Sequence, residues 1–331
     1  MQALASLPKS RSDRGSASPR ADWVCREAQL PNGESRREHY DFLGRIQRVD
    51  EPDGSWLRFY YDQGRLSRIE HSSGESVEYL YGDREITART SRSVTTIRSD
   101  EPGYPCQIVT AIDGHTFTVD YQRGARGKVK AIRYPQSADW LSCEGEHIRC
   151  GNIEYLTLET DRKRGTTTVR FSNGTVSREE LRGRTPVRIA HFDASGTTSV
   201  SLDYKTDEQS RITQAGAQTF RYRDDGSLET VEPTTDAQLI HDRLGRLIRR
   251  EDSNGVSVYS YNLFGQLAHA VLPDGAKVEY VYDGFGRLIG RFSGAEKLYF
   301  AVDVDGRRMA TLDSSGRIIH SFLWLGLQCV A

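Results

Sequence analysis

The stretch Tyr282-Asp283-Gly284-Phe285-Gly286-Arg287-Leu288 carries the phrase that decides the fold: tyrosine, aspartate, two variable residues, glycine, arginine and leucine. A second clear copy is Tyr40-Asp41-Phe42-Leu43-Gly44-Arg45-Ile46, and looser copies begin at Tyr61, His241 and Tyr261. Neighbouring copies lie about twenty residues apart. A period in this range predicts one supersecondary unit that is stacked many times and that depends on its neighbours for burial.

The residues between two phrases alternate with a period of two. Leu57, Phe59 and Tyr61 fall on one face, while Arg58 and Tyr60 fall on the other. This is the pattern of a half-buried strand, since the apolar period of a helix would be about 3.6 residues. Aromatic and β-branched residues also suit a pleated surface.

Two turns complete each repeat. In the phrase itself, aspartate occupies the first position of a type I turn and glycine the fourth. A second turn carries Asp-Gly or Asn-Gly, as in Asp53-Gly54 and Asn254-Gly255, which are strong hairpin signals. We therefore predict an all-β fold, an elongated antiparallel β-ribbon of roughly sixteen to twenty strands, curved as a partial shell by strand twist. The predicted turns include Gly44, Gly54, Gly74, Gly255, Gly265, Gly275 and Gly286.

The recurrent polar residues favour a structural role over a catalytic one. Aspartate starts the turn, glycine permits it, tyrosine buries its ring against the next repeat and arginine pairs with a carboxylate. Catalysis needs one asymmetric constellation, whereas these residues recur in every unit, so we expect no enzyme activity and no cofactor. The residues interpreted in this way are Tyr40, Asp41, Gly44, Arg45, Tyr61, Asp62, Gly64, Arg65, Asp242, Gly245, Arg246, Tyr261, Gly265, Tyr282, Asp283, Gly286 and Arg287.

The extent of the repeat and the composition of the chain predict the boundaries of the ribbon and argue against some partners. Residues 1–35 are predicted to be poorly ordered and residues 36–331 to form the ribbon, interrupted by an irregular insertion at 135–153 where the repeat is lost. The first 22 residues are rich in serine and arginine but lack the apolar core of a secretory signal; an organellar transit peptide is the alternative. A net charge of −1 gives no reason to expect nucleic acid, and no apolar run reaches the ~18 residues of a membrane span.

One cluster combines thiols with an imidazole. Cys143, His147 and Cys150 could supply three zinc ligands, but their spacing matches no standard finger and a fourth ligand is not evident. A disulfide and a Cys–His nucleophile are further alternatives. An odd total of five cysteines argues against a disulfide framework. We favour a loop of ordinary residues with no metal.

The Tyr-Asp-x-x-Gly-Arg-Leu phrase, followed by a glycine turn and an aromatic strand, resembles the Rhs/YD-repeat proteins. That family includes bacterial Rhs polymorphic toxins, shell subunits of insecticidal toxin complexes and the extracellular teneurins. The resemblance is strong over residues 38–83 and 218–318 and weaker over 104–134 and 166–204.

The resemblance implies a repeat ribbon wound into a hollow shell around a toxic domain. By this reading the chain is a non-catalytic structural segment of a shell that encapsulates or presents a secreted toxin or effector. Its partners would be that toxin or effector domain, or further shell repeats. Neither the Asp-Pro-x-Gly segment that follows such cores nor a toxin domain is evident, so we expect a partial repeat region. Without a signal peptide, it would be made in the cytoplasm and exported by a dedicated secretion system, or be extracellular within a larger assembly.

Two rival functions remain from the sequence. The first is a β-repeat module that recognises cell-surface carbohydrate or protein through tyrosines on the sheet. The second is glycan hydrolysis on a repetitive scaffold, which rests on fold analogy alone. In addition, the apolar stretch 318–325 is expected to form an exposed edge strand through which the chain self-associates.

Overall fold

The fold is all-β, as the alternating pattern predicts. A computed structural model describes residues 24–30, 32–101, 103–144, 147–150, 153–183, 185–224, 226, 228–232, 237–325 and 328–329. The described residues form 32 strands and one short 3₁₀ turn, Ala125–Gly127, and they include no α-helix. Accordingly, no helix in the described part of the chain has the length and apolar character that a membrane span needs.

Strands pair antiparallel with their neighbours in sequence, which is what a chain of hairpins produces. For example, Leu57 lies opposite His71 in one pair and opposite Val49 in the preceding one. The strand number exceeds the sixteen to twenty expected. Residues 84–134 and 141–232, where the repeat phrase is weak, are also built of short hairpins, because alternation and turn residues suffice for a hairpin without the phrase.

The single ribbon predicted over 36–331 divides into two compact units. The first contains the described residues of 1–119 and 237–321. Its strands are β1 Val24–Gln29, β2 Ser35–Tyr40, β3 Ile46–Asp50, β4 Trp56–Asp62, β5 Arg65–His71, β6 Ser76–Tyr81, β7 Glu85–Arg89, β8 Ser93–Glu101, β9 Tyr104–Ile112, the first part of β10 His115–Arg123, and then β22 Gln238–His241, β23 Leu247–Asp252, β24 Gly255–Tyr261, β25 Leu267–Val271, β26 Lys277–Tyr282, β27 Leu288–Ser293, β28 Glu296–Val302, β29 Arg308–Leu312 and β30 Ile318–Ser321.

The second unit contains the described residues of 120–236 and 322–331. Its strands, after the end of β10, are β11 Val129–Arg133, β12 Leu141–Glu144, β13 His147–Cys150, β14 Ile153–Asp161, β15 Thr166–Phe171, β16 Val176–Arg182, β17 Thr185–Phe192, β18 Thr198–Thr206, β19 Ile212–Ala215, β20 Gln218–Tyr222, β21 Leu228–Glu232, β31 Trp324–Leu325 and β32 Gln328–Cys329.

A β-bulge follows the Gly-Arg-Leu part of each phrase. Tyr40 lies opposite Ile46 and His39 opposite Arg48, so Gln47 is an extra residue in its strand. The same shift occurs at Tyr61, Tyr222, His241, Tyr261 and Tyr282. Bulges bend the strand and increase its right-handed twist. These bulges are not visible in the alternating pattern of the sequence, because the extra residue of each one lies outside the stretch that alternates.

Each unit has its own apolar core. In the first unit, Ile69, Val77, Tyr79 and Ala88 form one buried cluster on the face of β5–β7, and side chains from the turns of the C-terminal strands, including Phe285, pack against it. On this face, β5–β7 are therefore covered by turns of the C-terminal strands. In the second unit, the buried cluster is Ile148, Leu156 and Val169, with Leu323 packed on it.

The structure differs from the sequence prediction at three places. Within the poorly ordered segment predicted at 1–35, β1 pairs with β2 over six residue pairs; residues 1–23 lie outside the described ones. Within the irregular insertion predicted at 135–153, β12 and β13 form a hairpin that joins β11 to β14. The two strands of this hairpin have four residues each, which is too few for a period of two to be recognised in the sequence.

The third difference is the length of the apolar edge strand predicted over 318–325, because β30, the last strand of its sheet, covers only Ile318–Ser321. The strand ends at Ser321, and the chain then leaves the edge. The hydroxyl of Tyr134 donates a hydrogen bond to the carbonyl of Phe322 at 2.7 Å, and Leu323 packs on the core of the second unit. Burial of apolar side chains there outweighs continuation of the ladder.

Candidate functional site

The repeated turn is the site that the sequence singles out, and its geometry is clear at Asp41. One carboxylate oxygen of Asp41 accepts hydrogen bonds from the backbone amides of Leu43 and Arg45, each at 2.9 Å. The other accepts from Nε of Arg45 at 2.8 Å. The Gly44 amide donates to the Asp41 carbonyl at 2.9 Å, and φ of +74° at Gly44 explains the glycine. The aspartate thus binds the turn and holds the arginine side chain.

The same contacts recur in the copies at Asp242 and Asp283. Asp242 accepts from the amides of Leu244 and Arg246 and binds Nε of Arg246 at 2.7 Å. Asp283 accepts from the Arg287 amide and from Nε of Arg287, both at 2.9 Å. At Asn262 the ion pair is replaced by an amide pair, in which the side-chain nitrogen of Asn262 donates to Gln266 at 3.2 Å. The arginine therefore pairs within its own turn.

The copy at Asp62 is built differently. Its phrase is one residue shorter, and Asp62 lies directly opposite Arg65 in the ladder. Gln63 and Gly64 both have positive φ, of 46° and 78°, as in a two-residue type I′ hairpin loop. This copy therefore has a different turn type, although it shares most residues of the phrase.

Tyrosine joins one repeat to the one before it. The hydroxyl of Tyr61 donates to the backbone carbonyl of Ile46 at 2.9 Å, and the guanidinium of Arg45 lies 4.7 Å from the centre of its ring. The equivalent hydroxyl bonds run from Tyr81 to Leu66, from Tyr222 to Ile212, from Tyr261 to Leu247 and from Tyr282 to Leu267. We call this arrangement the tyrosine latch. It consists of the hydroxyl bond to the preceding repeat, with the arginine of that repeat over the ring in all but the Gln266 copy.

The latch tyrosines are half-buried, not fully packed. Tyr81 keeps 39% of its surface exposed, and Tyr61, Tyr261 and Tyr282 are intermediate. Desolvation raises the pKa of the Tyr61 and Tyr282 hydroxyls above the ordinary value. Tyr40, the first copy, has a different partner. Desolvation and a hydrogen bond to Glu38 raise its pKa to about 12. The raised pKa of Tyr61 and Tyr282 means that these two hydroxyls keep their protons, and with them the donors of their latches, at neutral pH.

Three further turns have the same geometry although the sequence interpretation missed them. Asp207, Asp303 and Asp313 each accept from the amide and the side chain of the arginine four residues later. The repeated phrase does not identify these turns, because threonine, valine and leucine replace the tyrosine before the aspartate. A search for aspartate and arginine four residues apart, with glycine or serine before the arginine, would have found them.

Burial differs strongly between these turns. The side chain of Asp283 is fully buried, and that of Arg287 is 6% exposed. Arg287 also donates to the Asp303 carbonyl at 3.1 Å. In the copy at Asp313 the arginine, Arg317, is 80% exposed. Desolvation raises the pKa of Asp303, whereas hydrogen bonds from Ser315 and Arg317 lower that of Asp313 to about 2.

The turn at Asp283 also brings the C-terminal strands of the first unit into close contact with the N-terminal ones. The hydroxyl of Tyr79 donates to the carbonyl of Gly284 at 2.8 Å. A Cβ atom on Gly284 would lie 2.7 Å from Cβ of Ala88 and 2.8 Å from Cγ1 of Val77. The Phe285 ring lies 6.1 Å from that of Tyr79. Only glycine fits this approach.

A cleft of about 130 Å³ lies beside this contact within the first unit. Its walls include Glu75, Arg92, His269, Glu279 and Tyr280. The amide of Leu263 donates to the Glu75 carboxylate at 3.1 Å, and Arg92 pairs with Glu279. The side chains of Glu75, Arg92 and Glu279 in the cleft are therefore already engaged with protein partners.

Of the residues proposed as weak metal ligands, the two whose side chains the structure describes, His147 and Cys150, do not converge. His147 and Cys150 are three apart in β13, so they project from opposite faces of the strand. Nδ1 of His147 lies 3.0 Å from the Glu154 carboxylate, which also binds Arg149, and Cys150 is a free thiol. The side chain of Cys143 lies outside the described ones. Within the described part of the chain, no three histidine, cysteine or acidic side chains lie close enough to hold a metal.

Comparison with known proteins gives one family match. Residues 158–322 match the family model described as Teneurin YD-shell. No curated protein matches the chain. Among solved structures, the Tc holotoxin pore of Photorhabdus luminescens is 12% identical, covering 87% of this chain and 22% of that chain, with a TM-score of 0.37. The complex TcdB2–TccC3 is 10% identical, covering 92% and 22%, with a TM-score of 0.36. The chain thus spans about a fifth of the length of these structures.

Proposed function

Since the match over residues 158–322 confirms the resemblance read from the sequence, this chain is a YD-repeat protein, and we propose that it is a non-catalytic structural segment of a shell. In this proposal the shell encapsulates or presents a secreted toxin or effector. Its partners are that toxin or effector domain and further shell repeats. The chain reaches its place of action through a dedicated secretion system or as part of a larger extracellular assembly.

The tyrosine latch is the observation that carries this proposal. In the turns at Asp41 and Asp242, the aspartate and arginine bind each other, and the tyrosine of the next repeat binds the carbonyl that follows the arginine. Side chains that could otherwise act on a substrate are used to connect consecutive hairpins. A device that is repeated in equivalent places suits a wall, whereas catalysis needs a single convergent arrangement.

The ladder supplies the second property of a wall. Backbone hydrogen bonds run from strand to strand, so a segment of this kind is extended by adding hairpins without a new core. The bulge that follows the phrase recurs from repeat to repeat, and bulges increase strand twist, which lets a sheet curve. Both features act along the chain and require no cofactor.

Protease protection of a passenger tests the shell function. The full gene product that contains residues 1–331 is co-expressed with the polypeptide encoded directly downstream and is purified through a tag on the shell protein. We expect the passenger to co-purify and to resist proteinase K until urea unfolds the shell. The passenger expressed alone is the control. Equal digestion rates with and without the shell protein would contradict the proposal.

A binding module for cell-surface carbohydrate is the second candidate, and one groove favours it. The groove has a volume of about 500 Å³ and is lined by His39, Gln47, Arg48, Arg58 and the exposed Tyr60, among others. This volume is in the range of small-ligand sites. Retention on a glycan array that is lost in Tyr60→Ala would support the module. An array without retained glycans would leave the shell function as the better account.

A further inference from the structure

In the first unit, the tips of the four-residue turns act as docking elements. The tip is the pair of residues that lies between the first residue and the glycine of the turn. Leu263 and Phe285 each belong to such a tip, and both pack on the buried cluster of β5–β7. The hydroxyl of Tyr79, which belongs to that cluster, donates to the carbonyl of Gly284 at 2.8 Å. A docked tip therefore contacts an apolar strand face and accepts a tyrosine hydroxyl from it.

The turn at Asp41 has an apolar tip that projects into solvent. The tip residues are Phe42 and Leu43, which are 86% and 63% exposed and are the two most exposed large apolar side chains among the described residues. The turn itself is built like the docked ones, since Asp41 accepts from the amides of Leu43 and Arg45. Adjacent exposed apolar side chains on an ordered turn indicate an interaction surface.

In the second unit, one apolar strand face changes from buried to exposed along the ladder. Val169 in β15 is 1% exposed. Its face continues through Ser177 and His191 to Val200, each of which lies directly opposite the one before. Val200 is 58% exposed. In β18, β19 and β20, all of whose residues the structure describes, no residue is buried. The cover that the face has at β15 therefore does not extend to these strands.

The exposed part of this face is apolar and aromatic. Alternation along β18 places Leu202 and Tyr204 on the same side as Val200. From Tyr204 the face passes through Ala215 to Gln218, and alternation along β20 then brings it to two further aromatic rings. We call this surface the open face, and its residues are Val200, Leu202, Tyr204, Phe220 and Tyr222.

Tyr204 occupies on the open face the position that Tyr79 has in the first unit. Tyr79 lies two residues before Tyr81, the last residue of β6, and Tyr204 lies two residues before Thr206, the last residue of β18. The hydroxyl of Tyr79 is bound to a tip, whereas that of Tyr204 makes no hydrogen bond to the described part of the chain. The open face thus presents the same donor that a docked tip uses.

We propose that the tip formed by Phe42 and Leu43 docks on the open face of a second copy of this chain. The two side chains pack on Val200 and Leu202, as Leu263 and Phe285 pack within the first unit, and the Tyr204 hydroxyl donates to the Phe42 carbonyl. A second copy is the partner because one sequence carries both the uncovered tip and the uncovered face. The contact is heterologous, since the tip and the face are different surfaces.

The docking goes beyond the proposed shell function and does not require it. Docking is a property of the chain alone and is measured without any passenger. A passenger that is digested at the same rate with and without the chain would refute the shell function and leave the docking intact. A chain that stays monomeric would refute the docking alone.

Sedimentation velocity of the full chain tests the docking. From about 1 µM to about 100 µM, where small interfaces become populated, we expect the weight-average sedimentation coefficient to rise. Below this range the chain is a monomer, so the tip contributes nothing to unfolding in dilute solution. A sedimentation coefficient that does not change with concentration would overturn the proposal.

Two variants disable one surface each. Phe42→Asp places a carboxylate on the tip and Val200→Asp places one on the open face, and an unpaired charge is costly to bury. We expect each variant alone to associate at least about tenfold more weakly. An equimolar mixture should form a dimer and nothing larger, because one variant keeps its face and the other keeps its tip. A mixture that stays monomeric would overturn the docking.

A conservative variant and a matched control complete the test. Tyr204→Phe removes only the hydroxyl and should weaken association about fivefold. Ile153→Asp is the control, because Ile153 is 61% exposed and lies three residues before Leu156 in β14, on the opposite face. Far-UV circular dichroism checks that every variant keeps its strands. An equal loss of association in the control would overturn the proposal, as would association that persists in both Phe42→Asp and Val200→Asp, which would assign it to another surface such as the edge at β30.

Discussion

The turns at Asp283 and Asp313 contain the same ion pair in very different surroundings. In both, the arginine four residues later binds the aspartate through its amide and its side chain. Arg287 is 6% exposed and lies among packed strands, whereas Arg317 is 80% exposed. The geometry of the turn is therefore local, since it forms with or without cover. What the turn contributes to stability depends on what packs over it.

The largest difference between the two turns should appear when the arginine is removed. Arg287→Leu leaves the buried carboxylate of Asp283 without its cation, and we expect unfolding to become easier by ~3–5 kcal/mol. Arg317→Leu breaks an exposed pair and should cost less than about 1 kcal/mol. Urea unfolding followed by circular dichroism measures both. Equal costs would show that burial does not set the value of the pair.

A smaller effect is expected at the second position of the turn, where a buried copy and an exposed copy again differ. Gly284→Ala places a methyl group within 2.7 Å of Ala88 and 2.8 Å of Val77, and we expect a loss of ~1–3 kcal/mol from overpacking. Phe42 occupies the same position in the first copy and is 86% exposed. Phe42→Ala should therefore leave the urea midpoint nearly unchanged. A neutral Gly284→Ala would contradict the close approach to β6 and β7.

The tyrosine latch offers a finer comparison. Tyr61 and Tyr81 make the same 2.9 Å bond to a backbone carbonyl, but Tyr81 is the more exposed. Tyr61→Phe should cost ~0.5–1.5 kcal/mol, because the carbonyl of Ile46 loses its donor in a half-buried place. Tyr81→Phe should cost less, since water can replace the hydroxyl. Thermal unfolding of both variants gives the order, and a larger loss for Tyr81→Phe would reverse the argument.

The smallest effects are expected in the dependence of stability on pH, where Asp313 and Asp303 should have opposite signs. Hydrogen bonds from Ser315 and Arg317 lower the pKa of Asp313 to about 2. Its contribution is therefore present above the unfolded value near 4 and is lost as pH falls toward 2. Desolvation raises the pKa of Asp303, so its folded form gains stability as pH falls through that raised value. Carboxyl carbon shifts in NMR titrations of the two residues check the signs.

The local structure was largely readable from the sequence. The alternation of Leu57, Phe59 and Tyr61 predicts β4, and each predicted turn glycine from Gly44 to Gly286 has positive φ. These features depend on residues close in sequence, for which spacing is informative. The turn at Asp62 shows the limit, because one missing residue changes the turn type while the letters of the phrase stay the same.

Long-range contacts were not readable in this way. Nothing in the phrase indicates that Gly284 meets Val77 and Ala88, about two hundred residues earlier, or that Asp113 lies beside Lys297. Such contacts depend on the accumulated twist of many hairpins. The extra residue at each bulge, such as Gln47, contributes to that twist but has no distinctive side chain. The apolar stretch 318–325 likewise reads as one strand until the core that receives Leu323 is known.

The acceptor of the tyrosine latch is a backbone carbonyl, and this has a consequence for how the chain can change. Ile46, Leu66, Leu247 and Leu267 serve the latch through an atom that every amino acid possesses. Substitution at these positions alters packing but cannot delete the acceptor. A substitution can thus remove the tyrosine donor of a connection but not its acceptor. Repeats of this design can diverge widely in sequence, or be copied next to one another, and still recognise their neighbours.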